Sequence, residues 1–119
     1  MVGLKVPLRQ IAYGRSGDKG SSSNIGVIAY HEKGFIFLKE HLQSEKVLKF
    51  FKPLNPTGIK RYELPNLWAL NFVLEGILAG GGSRSLRIDS QGKALGQALL
   101  EMEIEVPEEL LSQIGGNHV

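Results

Sequence analysis

The chain has 119 residues, 42% of them apolar and 22% charged, with a net charge of +2 and no cysteine. That length fits one domain, 1–119, with a core of its own, and the lack of cysteine excludes disulfides and thiolate chemistry. The charge is too small and too evenly spread to indicate nucleic acid. No segment has the length of a membrane span, and Pro7 interrupts a start that lacks an apolar run of signal-peptide length, so no membrane and a cytoplasmic placement are expected.

In chain order, LRQIAY (8–13) reads as a first strand, with Leu8, Gln10 and Ala12 alternating against Arg9, Ile11 and Tyr13. The run GRSGDKGSSSN (14–24) follows as a loop, and IGVIAY (25–30) reads as a second, buried strand antiparallel to the first. Glu32-Lys33-Gly34 reads as a turn. FIFLKEHL (35–42) and KVLKFF (46–51) read as two short helices with a break at Gln43-Ser44, because their apolar faces do not line up. Ser44 is the expected N-cap of the second, and Pro53 and Pro56 end it.

IKRYEL (59–64) is expected to be a third strand, and NLWALNFVLEGIL (66–78) a helix that starts at Asn66. That helix would be apolar nearly all round, with Trp68 and Phe72 on a face that a second copy or another chain would cover. Gly80-Gly81-Gly82-Ser83 would cap it, and RSLRID (84–89) would be a strand. Beyond hairpin chemistry at 89–93, the alternation of Ala94, Gly96, Ala98, Leu100, Met102, Ile104 and Val106 favours a long strand, with a short helix over 93–99 as the alternative. Residues 107–113 read as a terminal helix and 115–119 as a flexible tail. The sum is an α+β fold, a mostly antiparallel sheet of about five strands with helices packed on one face.

Candidate chemistry centres on the loop. Its glycines do not have P-loop or dinucleotide spacing. Gly14, Gly17 and Gly20 could let consecutive N–H groups converge in a nest, with Arg15 and Lys19 adding charge and Ser21–Ser23 and Asn24 adding neutral donors. The spacing leaves a solvated loop open as well, in which Asp18 pairs with Arg15 or Lys19. Asn71, a polar amide on the apolar helix, needs a partner in the loop, in Glu75 or in a ligand. Asn66 serves as an N-cap or a contact, and Gly80 to Arg84 form a second donor-rich loop. Ser16 lies in no nucleophile elbow. His31, His41 and His118 lack metal-ligand spacing, and Glu101, Glu103 and Glu105 line one exposed strand face. No catalytic set and no cofactor site stand out.

The stretches LRQIAYGRSGDKGSSSNIGVIA and RYELPNLWALNFVLEGILAGGGSRSLRIDSQGKALGQALLEMEI, with their spacing, resemble the ferredoxin-fold domain at the C-terminus of acyclic terpene utilisation protein A (AtuA) relatives. The resemblance covers roughly Leu8 to Ile104 and implies a ferredoxin-like α+β domain. Family members usually carry this domain behind a much larger N-terminal one, in gene clusters for citronellol and geraniol catabolism through acyl-CoA intermediates. That larger domain is not in these 119 residues. The resemblance therefore implies an accessory domain or small subunit, with no catalysis by this chain alone, that works with a large AtuA-like partner or as a homo-oligomer. The alternative is an independent protein or enzyme that takes an acyl-CoA or a carboxylated metabolite.

Arg15, Gly17, Asp18, Lys19, Gly20, Asn24, Asn66, Asn71 and the triple glycine at 80–82 match the family pattern. The family commonly has an acidic residue where this chain has Ser21, so no metal is assigned to the loop. With Ser16 and Arg84, these positions form the expected site for a small anionic ligand or a partner.

Overall fold

The computed structural model describes residues 3–19, 22–76 and 93–115. Strands β1 (Gly3–Pro7) and β2 (Ala12–Lys19) are separated by a 3₁₀ turn at Leu8–Gln10. The expected strand at 8–13 is therefore displaced. Leu8, Ile11 and Ala12 are all fully buried, which a strand with one wet face would not allow. Of the run at 14–24, residues 14–19 and 22–24 are strand and not loop: β2 pairs in antiparallel register with β3 (Ser22–Ala29), matching Gly14 to Val27, Arg15 to Gly26 and Gly17 to Asn24.

After Tyr30, helix α1 (Glu32–His41) begins where the sequence suggested a turn. His31 is its N-cap, and its Nδ1 accepts the backbone N–H of Lys33 at 3.1 Å. Phe35 and Leu38 face the core. Helix α2 (Ser44–Phe50) follows the expected break, but Gln43 occupies the N-cap position in place of Ser44. The Gln43 amide turns back instead, donating to the carbonyls of Lys39 and Glu40 at 3.1 and 3.0 Å at the end of α1. A 3₁₀ turn at Lys52–Leu54 leads to β4 (Gly58–Leu64), which lies where the alternation placed it.

The expected helix at 66–78 is a strand. β5 (Ala69–Glu75) buries Leu70, Phe72 and Leu74 on one side and turns Asn71 and Val73 to the other. Its period is two, and the apolar run misled because a strand inside a sheet and a buried helix both read as continuous hydrophobicity. The flanks decide it. Pro65–Leu67 is a 3₁₀ turn, Trp68 sits in the left-handed region at φ 54°, and Gly76 ends the strand at φ 73°. A Cβ on Gly76 would also lie 2.5 Å from Thr57 Oγ1, so backbone angle and space both require glycine there. With the helix goes the original ground for a second copy, because Phe72 is buried within the chain itself.

The expected long strand over 94–106 divides in two. Helix α3 (Lys93–Leu100) is followed by β6 (Glu103–Pro107). The alternation had counted small residues, whereas the buried Leu95 and Leu99 stand four apart, on one helical face. Gly96 costs helix propensity but lets α3 lie on β2, since a Cβ there would come within 3.0 Å of Ser16 Oγ. Helix α4 (Glu108–Gly115) closes the described chain, close to the terminal helix that was expected. The expected strand at 84–89, the glycine run at 80–82 and the tail at 116–119 lie outside the described residues.

The described strands form two antiparallel sheets, β1–β6 and the four-stranded β2–β3–β5–β4. The inner face of the larger sheet carries Ile25, Val27, Leu70, Phe72 and Leu74, all at most 1% exposed. α3 lies along β2, α1 against β3 and α2 against β4, with α4 packed on α1. The fold is α+β, with its helices gathered on the inner face.

Candidate functional site

Because side chains alternate across a strand, the register determines which residues share the outer face of the four-stranded sheet. One row across it reads Arg15, Gly26, Asn71 and Tyr62, and the next reads Gly17, Asn24, Val73 and Lys60. Tyr13, Ile28, Ala69 and Leu64 form the row on the other side. Gly26 has no side chain, so the centre of the first row is a gap between two polar residues.

That gap opens into a groove of about 360 Å³. Gly17, Gly26 and Ala69 make its floor. Arg15, Asn24 and Asn71 stand on its polar side, and Ile28, Leu64 and Leu67 make an apolar wall. Arg15 is the one ionisable side chain among the described residues that line it, and no carboxylate does so. Asn71 leans over the gap, its Oδ1 being 3.8 Å from where a Gly26 Cβ would stand. The side chains of Arg15, Asn24 and Asn71 make no hydrogen bond or ion pair with any residue whose side chain is described, a set that does not include Asp18 and Lys19. Toward the described side chains, three polar groups are thus left to meet an incoming one.

The remaining sequence candidates have separate fates. Ser16 faces inward against α3, where its Oγ approaches Gly96. Asn66 is exposed in the 3₁₀ turn beside Leu67 and caps no helix. Asp18 and Lys19 lie at the end of β2, opposite Ser23 and Ser22. Gly20, Gly80, Gly81, Gly82 and Arg84 lie outside the described residues. Gly14 and Gly17 are extended members of the ladder, without the positive φ that a nest would need, so recognition at this face falls to side chains. Ser23 is fully buried and donates to the Gly17 carbonyl at 3.3 Å, a tie within the hairpin.

Sequence reasoning missed the apolar half of the groove. Its signal was present in Leu64-Pro65-Asn66-Leu67-Trp68, where a proline turn interrupts an apolar run and leaves large side chains outside. Leu64, Leu67 and Trp68 are 39%, 62% and 39% exposed. Trp68 is held in its left-handed conformation by its N–H bond to the Pro65 carbonyl and by accepting the Ala29 N–H at 2.8 Å. The His31 ring stacks on it at 6.3 Å. Backbone in this region is uncommon for a bulky residue.

Among the described residues, no group of three His, Asp or Glu side chains could hold a metal ion, and no helix is long and apolar enough to cross a membrane. A family model described as the AtuA ferredoxin-like domain matches residues 6–105, which includes every strand of the larger sheet and the whole groove. The chain belongs to the AtuA ferredoxin-like domain family. No curated protein and no solved structure matches it. As an AtuA ferredoxin-like domain, the chain corresponds to an accessory unit of AtuA-like proteins. Arg15, Gly17, Asn24 and Asn71 come together on the outer face of its larger sheet.

Proposed function

We propose that this chain is an accessory domain that works with a large AtuA-like partner chain and engages it across the outer face of the β2–β3–β5–β4 sheet. It performs no catalysis by itself. Its setting is the cytoplasmic catabolism of acyclic terpenoids or related acyl-CoA intermediates. The observation that carries this reading is the exposed apolar ridge of Leu64, Leu67 and Trp68 beside a groove whose polar groups have no partner among the described side chains, on a sheet face that no described helix covers. Exposed apolar side chains that adjoin one another, as these three do in sequence on one turn, support an interaction surface where isolated ones such as Ile36 do not. The turn is tied to β3 through the Ala29–Trp68 bond, so little ordering remains to be done on binding.

Co-expression with a large AtuA-like chain from the same organism tests the reading. A stable complex is expected at micromolar concentration, with no turnover of terpenoid acyl-CoA esters by the isolated small chain. Sedimentation of the small chain alone supplies the other arm. If the face instead serves a second copy, a concentration-dependent dimer appears alone, is abolished by Leu67→Asp, and the large chain leaves it undisturbed. Failure to form the mixed complex, or robust turnover by the small chain alone, contradicts the proposal.

A further inference from the structure

We propose that the gap over Gly26 binds the carboxylate of a free monocarboxylic acid whose short aliphatic chain runs along the apolar wall of the groove. This goes beyond the partner surface, because it rests on the polar side of the groove and needs no second protein.

Arg15 and Asn71 flank Gly26 in one row of the sheet, and neighbouring strands about 4.8 Å apart place their backbones about 10 Å from each other. The space between is the width of one missing side chain. A planar group set there meets the guanidinium on one side and the Asn71 amide on the other. Asn24 projects from the same strand as Gly26, two residues away on the same face, and offers a second amide.

Charge narrows the ligand. With Arg15 the one ionisable group among the described lining residues, the groove complements a single negative charge. A guanidinium fork matches the two oxygens of a carboxylate with parallel bonds. Asn71 faces the gap with Oδ1, so a half-turn of its amide brings the NH₂ donor to a remaining lone pair. A phosphate dianion would keep one charge uncompensated by the described lining residues. The chain of the ligand is set by the rest of the groove, since Ala69 continues the floor and Ile28, Leu64 and Leu67 form an aliphatic wall one side chain high. This combination of a few placed polar groups and an apolar lining is the usual form of a small-ligand site.

The test is an amide-detected NMR titration of the ¹⁵N-labelled chain with sodium octanoate, with acetate, octylammonium, octanol and inorganic phosphate as comparison probes. Octanoate should give saturable shifts centred on the Gly26 N–H and the side-chain amides of Asn24 and Asn71. Acetate, which lacks the chain, should bind about tenfold more weakly or worse. Arg15→Gln should weaken octanoate about tenfold or more, since it removes a charge-assisted bond. Gly26→Val fills the gap on a strand that favours β-branched residues. An added Cβ there meets its neighbours at 3.8 Å, an ordinary contact, so the spectrum should stay dispersed while octanoate binding disappears.

The proposal is overturned if octanoate does not saturate, if octanol or octylammonium binds as well, if phosphate binds more tightly, or if Gly26→Val leaves the titration unchanged. Loss of octanoate binding with an intact complex removes this site and leaves the partner reading in place. A chain that binds octanoate but ignores the large AtuA-like chain does the reverse.

Discussion

Two arginines project from opposite faces of the same sheet and meet different surroundings. Arg61, on β4, points inward and is only 13% exposed. Its Nε donates to the Leu42 carbonyl at 3.1 Å and its Nη2 to the Lys39 carbonyl at 2.7 Å, both at the C-terminal end of α1. Those carbonyls have no intrahelical partner, and the helix dipole puts partial negative charge there, so the guanidinium meets hydrogen-bond need and field together. Nη1 also reaches Glu63 at 3.0 Å, an exposed contact that adds little. Arg15, on β2, points outward and has no described partner. Arg61→Ala should therefore destabilise the chain by about 2–3 kcal/mol, through two lost bonds to a charged donor. Arg15→Ala should change stability by no more than about 0.5 kcal/mol. Urea unfolding of the two variants separates them, and equal losses would mean that Arg15 is structural and not a free binding group.

At the scale of elements, period and side chain separate what could be read from the sequence and what could not. β4 was legible because Ile59 and Arg61 alternate with Lys60 and Tyr62, and β3 because Ile25 and Val27 are β-branched around small outward residues. β5 was not. Ala69 and Val73 on its outer side are apolar enough to erase the alternation, and the strand reads as a greasy helix until Trp68 and Gly76 are seen to bound it at positive φ. α3 failed for the converse reason, its small residues imitating a period of two. Part of the site is legible as chemistry, since the sequence marks Arg15, Asn24 and Asn71 as polar groups of one candidate site. The grouping came about through strand register, not through a loop folded onto a helix; Gly26 had no local signature as a site residue, and the wall at Leu64 and Leu67 was marked only by the proline turn that interrupts the apolar run. Neighbouring positions on β5 check the assignment. Phe72→Ala, which empties a fully buried site, should cost about 3–5 kcal/mol. Val73→Thr, on the outer face, should cost less than about 1 kcal/mol. Comparable losses measured by chemical denaturation would contradict the strand.

For the whole molecule, the consequence of this topology is asymmetry. The helices cover one face of the four-stranded sheet and bury its inner side chains almost completely. The opposite face presents a glycine gap, a guanidinium without a partner among the described side chains and an apolar ridge, a surface suited to recognition more than to core building. Calorimetric titration of a large AtuA-like chain into Leu67→Asp tests that assignment most directly, with Lys49→Glu on the exposed side of α2 as the reference. Leu67→Asp sets an unpaired carboxylate into the centre of the proposed interface and should weaken binding about tenfold or more, while Lys49→Glu should bind as the unaltered chain does. Full affinity in Leu67→Asp, or a loss confined to Lys49→Glu, would place the working surface on the helices and contradict the account.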